Sequence, residues 1–201
     1  KMTYGGTCGF SGDHLFQQAF PVFTWGKSFT QIPLLGRTSG EITKVLASEN
    51  DTEVFVNGQS KGFIDQGKFV QFEFAKDEVV VIETSKPAAV SMIAKSVECN
   101  ESSSDLFGDP FLLTLNPDNQ KIEAAIFNSL SGAGFTNHYV NILVETASVS
   151  KTRLNTKAID SEFKPVPGSP QLSFARIKVS SGPNSLSNPD GFIAYSYGAG
   201  L

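Results

Sequence analysis

Ser11, Asp13 and His14 bring a hydroxyl, a carboxylate and an imidazole close together near the start of this 201-residue chain. A hydrolase needs such groups to converge, with nucleophile on base and base on an orienting acid. Neighbours this close along one segment rarely meet that geometry, and Ser11 does not sit in a G-x-S-x-G elbow. Asp13 is therefore read as a turn cap and His14 as a local packing residue. The second histidine, His138, lies beside Tyr139 with no Cys or carboxylate at zinc-site spacing. Asn188-Pro189-Asp190 offers oxygen ligands for calcium, but without the acidic density of an EF-hand loop. Gly132-Ala133-Gly134 does not link a strand to a helix, as a phosphate-binding loop would, and reads as an ordinary loop. No catalytic residue, metal site or cofactor is expected.

Covalent chemistry is better represented. Cys8 and Cys99 are the two cysteines, and spacing alone leaves open two buried thiols or one disulfide. Asn50-Asp51-Thr52 and Asn100-Glu101-Ser102 are N-glycosylation sequons. Asn100 is the more persuasive, because Cys99 precedes it and a run of serines to Ser104 follows. Glycosylation implies an oxidising compartment, where a Cys8–Cys99 bond is expected. Closing that loop of about 90 residues would stabilise the fold by about 4–5 kcal/mol. Phe23, Trp25, Lys27 and Phe29 form an aromatic cluster with one cation. It reads either as a ligand platform or as packing between the N-terminal segment and the first β unit.

The elements that must carry these residues are strands. Charged residues make up 18% of the chain and hydrophobic ones 40%. That balance excludes disorder and permits a sizeable core. Seventeen Phe, 18 Gly and 10 Pro describe aromatic strands punctuated by turns. A net charge of −4 disfavours nucleic acid. No apolar run approaches the ~20 residues that span a bilayer. No signal peptide opens the chain, so it reads as a mature or excised segment.

Residues 1–28 read as irregular, with one helical turn over 13–20 ended by Pro21. Strands are expected over 41–49, 52–58, 68–75, 78–85, 88–96, 110–117, 138–148, 151–156, 171–180 and 191–200. The stretch 121–129 is ambiguous between strand and helical turn. Asn57-Gly58 predicts a hairpin turn. Core candidates are Val54, Val56, Val70, Phe72, Phe74, Val80, Ile82, Val90, Ile142, Val144, Phe174, Ile177, Phe192 and Ala194.

A weak repeat runs through this pattern. Val45 precedes Asn57 by the same interval that separates Leu143 from Asn155. Glycine turns follow at Gly67 and Gly168, and then Pro87 and Pro189 at nearly equal intervals.

Five segments stand in order along the chain: GDHLFQQAFPVFTWGKSF (12–29), ASENDTEVFVNG with FIDQGKFVQFEF (47–58 and 63–74), SKPAAVSM (85–92), GDPFLLTLNP (108–117) with Gln120 beyond it, and GFIAYSYGAG (191–200). Together they resemble the IgGFc-binding protein N-terminal domain family. The resemblance implies a secreted mucus- or matrix-type glycoprotein module and does not by itself imply antibody binding. One departure is Gly12, where members often carry a cysteine; this leaves Cys99 as the partner for Cys8 within the chain.

The expectation is thus an all-β protein of two tandem β-sandwich-like, mostly antiparallel units. An irregular segment (1–28) precedes a first unit (29–96), a linker loop (97–110) and a second unit (111–201). Its function is read as non-catalytic, structural or protein-interacting, in adhesion or in matrix or mucus assembly, outside the cell. Partners would be other extracellular proteins or copies of itself. A carbohydrate-binding module is the alternative, and a hydrolase the least favoured reading.

Overall fold

The computed structural model describes residues 14–96, 99–100, 110–130, 132 and 134–200. The chain divides into two compact units, Lys1–Asn119 and Gln120–Leu201. Each is built on one seven-stranded antiparallel sheet.

The first unit holds β1 (Gly26–Gln31), β2 (Glu41–Ala47), β3 (Thr52–Val56), β4 (Gln59–Ile64), β5 (Phe69–Glu73), β6 (Val80–Ala94) and β7 (Leu112–Leu115). Its spine is β6, which changes partners along its length. Ile82 lies between Phe29 of β1 and Val56 of β3, whereas Val90 lies between Val45 of β2 and Leu115 of β7. Two strands separated by Pro87 were expected here; one continuous strand is observed. Proline is tolerated because it falls where the β1 register jumps from Glu83 to Ala88, so its missing N–H interrupts no ladder there. Its carbonyl still accepts the Ser48 N–H at 3.2 Å.

The second unit holds β8 (Ile122–Ser129), β9 (Phe135–Glu145), β10 (Arg153–Leu154), β11 (Lys157–Ala158), β12 (Lys164–Val166), β13 (Ser169–Val179) and β14 (Gly182–Gly200). Here β14 takes the part of β6. Its first half pairs with β8 and β10, and its second half with β9. The expected strand over 191–200 is therefore the later half of a longer one. The ambiguous 121–129 stretch is strand β8.

Pairing shows the duplication that spacing only suggested. The path β4-β3-β6-β2-β5 matches β11-β10-β14-β9-β13, and β1 on β6 matches β8 on β14. The turns agree in detail. Asn57 and Gly58 have φ of 49° and 76°, and Asn155 and Thr156 have 50° and 67°. Both are the left-handed pair that a tight hairpin requires. The Asn57 amide N–H donates to the Val81 carbonyl at 2.8 Å, and its Oδ1 accepts the Val81 N–H at 2.9 Å. Asn155 makes both bonds with Ser185, each at 2.8 Å. Each asparagine pins its hairpin to the spine strand.

Three expectations change. Residues 14–20 form no helical turn; the turn comes after Pro21, over Val22–Thr24, where the Thr24 N–H closes on the Pro21 carbonyl. Proline suits the entry to a helical turn better than its end. The segment at 110–117 forms β7 on the spine of the first sheet, so the units meet at Asn119/Gln120 rather than at 110/111. Val70, Phe72, Ile177 and Ala194 are half-buried, while the other core candidates are buried. In the second unit Val140, Ile142, Val144, Leu154, Leu186 and Phe192 form one apolar cluster.

Candidate binding surface

Ser11, Asp13 and Cys8 lie outside the described residues, and His14 is exposed. Among the described residues no three His, Cys, Asp or Glu side chains gather as a metal site. Asn188, weighed as a calcium ligand, is fully buried. Its Nδ2 donates to the Ser148 carbonyl and to Thr152 Oγ1 at 3.1 and 2.9 Å, and its Oδ1 accepts the Asp190 N–H. Asp190 pairs with Lys151 at 2.7 Å. Gly132 and Gly134 belong to the β8–β9 turn, closed by the Phe135 N–H on the Gly132 carbonyl.

The aromatic cluster separates. Phe29 is 1% exposed and belongs to the core, while Phe23 is 89% exposed. Trp25 is half-buried and donates its Nε1–H to the Phe20 carbonyl at 2.8 Å; Lys27 is exposed. Strand β1 explains the split, because its burial pattern carries Phe29 inward while residues 14–25 precede the sheet.

The sequons also differ. Asn50 is exposed in the β2–β3 loop, its Oδ1 accepting the Gln66 N–H at 3.1 Å. Asn100 is 7% exposed. Its Oδ1 accepts the Thr38 and Ser39 N–H groups at 2.9 and 3.0 Å, and its Nδ2 donates to the Ser96 carbonyl. No cysteine among the described residues is a free thiol.

The duplication exposes a surface the sequence did not flag. In the first unit the outer edge of β1 is sealed by Asp118. Its carboxylate accepts the Thr30 N–H and the Ser28 hydroxyl, each at 2.8 Å, and its own N–H donates to the Ser28 carbonyl at 2.9 Å. Ser28 and Thr30 pair with Glu83 and Val81 of β6; their counterparts on β14, Ser187 and Ser185, pair with Ala124 and Ile126 of β8. The two hydroxyl residues that hold the seal are thus an alanine and an isoleucine in the second unit. Among the described residues nothing covers that edge. Ile126 is 85% exposed, and Ile122, Leu130 and Phe135 also stand out into solvent. The alternation of Ile122, Ala124 and Ile126 was the available signal, hidden by helix-forming Ala and Glu.

Beside this strand two clefts meet at His138. One, of about 720 Å³, is lined by Phe135, Thr136, His138, Lys178, Ser180 and Ser181 among others. The other, of about 170 Å³, is lined by Ser129, Leu130, Phe135, His138, Ser196 and Tyr197 among others.

No helix among the described residues is long and apolar enough to cross a membrane. No curated protein matches the chain. Among solved structures, an anti-sigma factor domain-containing protein from Clostridium clariflavum is similar over 85% of this chain and 78% of its own, at 8% identity and a TM-score of 0.24. Another anti-sigma factor domain-containing protein is similar over the same shares, at 10% identity and a TM-score of 0.23. Scores this low carry no argument about fold or function. The IgGFc binding protein family, by contrast, matches residues 2–198, through both copies of the duplicated sheet. The chain that carries these two sheets belongs to the IgGFc-binding protein family.

Proposed function

We propose that this chain is a non-catalytic, extracellular protein-interaction module that works in adhesion or in mucus or matrix assembly. The observation that carries the reading is the β8 edge, where Ala124 and Ile126 replace the pair that seals its counterpart. Glu123 near its start is the one charge in β8, and the run Ala124–Leu130 beyond it holds no charge and no proline, the devices that protect solvent-facing edges from pairing. Such an edge fits an extended strand of another polypeptide. Backbone hydrogen bonds would supply affinity, and Ile122, Ile126 and Leu130 would supply apolar contact.

Two probes test it: immunoglobulin G Fc, the ligand in the family's name, and the chain itself at rising concentration. A complex with at least one is expected below about 100 μM. Ile126→Lys should weaken it at least about fivefold while leaving stability within about 0.5 kcal/mol, because the side chain is on the surface. Absence of both complexes, or indifference to Ile126→Lys, would remove β8 from the account.

A secreted setting also implies the Cys8–Cys99 bond and glycan on a sequon. Exposure favours Asn50 over Asn100, reversing the order suggested by the neighbouring serines. A glycan on Asn100 would have to leave a buried carboxamide whose Nδ2 already holds the Ser96 carbonyl. Material from a secretory host should lose its glycan mass in Asn50→Gln and keep it in Asn100→Gln. The latter should instead destabilise by about 2–3 kcal/mol, since the Thr38 and Ser39 N–H groups lose their acceptor. Intact-protein mass and urea melts read both outcomes.

A further inference from the structure

The exposed row on β8 has the same pattern read in either direction. Side chains two apart on a strand share a face. On β8 the even-numbered residues face solvent, while Ala125 and Phe127 pack against the core cluster. Outward from Ile126 the row passes Ala124 to reach Ile122 on one side, and passes Asn128 to reach Leu130 on the other. Ile122, Ile126 and Leu130 are all exposed. One shorter residue thus separates Ile126 from the next large apolar residue on each side.

Backbone direction follows the same alternation. In an antiparallel strand the N–H and C=O of one residue point to one side, and those of the next residue to the other. In the first unit the Thr30 N–H and the Ser28 carbonyl point out to Asp118. Their counterparts are Ile126 and Ala124, so the even-numbered residues of β8 aim their backbone groups away from β14. A second β8 running antiparallel would meet these groups with its own even-numbered residues. Only registers with a residue on the twofold axis satisfy that condition. Centring on Glu123 would set two carboxylates against each other, which is unfavourable. Centring on Ala124 or Ala125 leaves Leu130 opposite no residue of β8, and centring on Phe127 does the same to Ile122. Centring on Ile126 sets Ile126 against itself, Ile122 against Leu130 and Ala124 against Asn128. It also sets Glu123 against Ser129 and keeps the two Glu123 side chains at opposite ends of the contact.

We infer that β8 docks on β8 of a second copy of this chain, antiparallel, with Ile126 on the twofold axis. The inference rests on the reading of β8 as a pairing edge and names its partner. Backbone hydrogen bonds would join the two sheets, and the Ile122, Ile126 and Leu130 rows would cover each other. A twofold contact uses each edge once, so association through β8 stops at the dimer.

Sedimentation equilibrium of the chain tests this. A monomer–dimer equilibrium with a Kd of about 1–100 μM is expected, the weak class that suits so narrow a contact. Ile126→Lys and Ile126→Asp should each weaken it at least about tenfold, because the axis places the altered residue against its own copy. An equimolar mixture of these two variants should associate at least about threefold more tightly than either alone, since unlike charges then meet on the axis. Recovery in the mixture also shows that both variants are folded. A chain still monomeric at about 1 mM, a dimer indifferent to Ile126→Lys, or a mixture no tighter than its components would overturn the proposal. A monomeric chain that binds Fc and loses it in Ile126→Lys would overturn the second copy as partner while leaving β8 as a protein-docking edge. Loss of both complexes would remove the edge as well.

Discussion

Replacing Phe192 by alanine should destabilise the second unit by about 3–5 kcal/mol, the range for deleting a fully buried phenylalanine. Phe192 is completely buried, within the cluster of Val140, Ile142, Val144, Leu154 and Leu186. It also occupies the point at which β14 changes partners, paired with Ile122 of β8 just before Ile193 joins Leu143 of β9. Gly191 before it has φ of 87°, and a Cβ there would meet the Lys121 side chain at 2.8 Å. The backbone can turn at Gly191 only because it has no side chain; Phe192 then holds the two halves of the strand on one core. The alanine variant should lose about 10 °C in melting temperature. Its urea midpoint should fall with little change in slope, and amide exchange should quicken in β9, β13 and β14. Phe192→Leu should cost less than about 1.5 kcal/mol, because most of the apolar volume is kept. A loss below about 1 kcal/mol in the alanine variant would mean that this cluster does not hold β14 across its change of partners.

The same strand shows how far the sequence could be read. Alternation in KFVQFEFA and TEVFVNG revealed β5 and β3, because each presents side chains of opposite character to opposite faces. Asn57-Gly58 was legible because few residue pairs adopt two consecutive left-handed conformations; Asn155-Thr156 was not, because threonine rarely does so. The spine strands were harder. β6 and β14 serve different partners at either end, and the proline or glycine at the change reads locally as a stop. Short strands such as β10, β11 and β12 have too few residues to show a period. The candidate surface was less legible than the fold. An exposed isoleucine is ordinary in isolation. Ile126 gains meaning only beside Thr30, its counterpart in the other sheet, and that equivalence comes from pairing partners rather than from similarity of sequence. His138 was weighed as a metal ligand because of its type. The structure sets it on the face of β9 that carries Val140, Ile142 and Val144, away from any second ligand among the described residues.

Cys99→Ser should remove about 4 kcal/mol from the first unit if Cys8 and Cys99 are bonded, since opening a loop of about 90 residues returns that much entropy to the unfolded chain. Both cysteines belong to Lys1–Asn119, so the effect should appear in the amide exchange of β2, β5 and β6 and spare β9 and β13. The native side of the balance is expected to change little. The chain at Cys99 is held independently, by its own N–H on the Ser96 carbonyl at 3.0 Å and by the Asn100 carboxamide on Thr38 and Ser39. The loss should therefore come from the denatured ensemble, and the urea slope should increase as that ensemble expands. Cys8→Ser, Cys99→Ser and the double variant should melt together, because either single change already breaks the one bond; additive losses would instead indicate two separately packed thiols. Reductant should bring the parent protein to the same stability and leave the variants where they are, whereas a parent indifferent to reductant would place the chain among proteins that fold without oxidised sulfur.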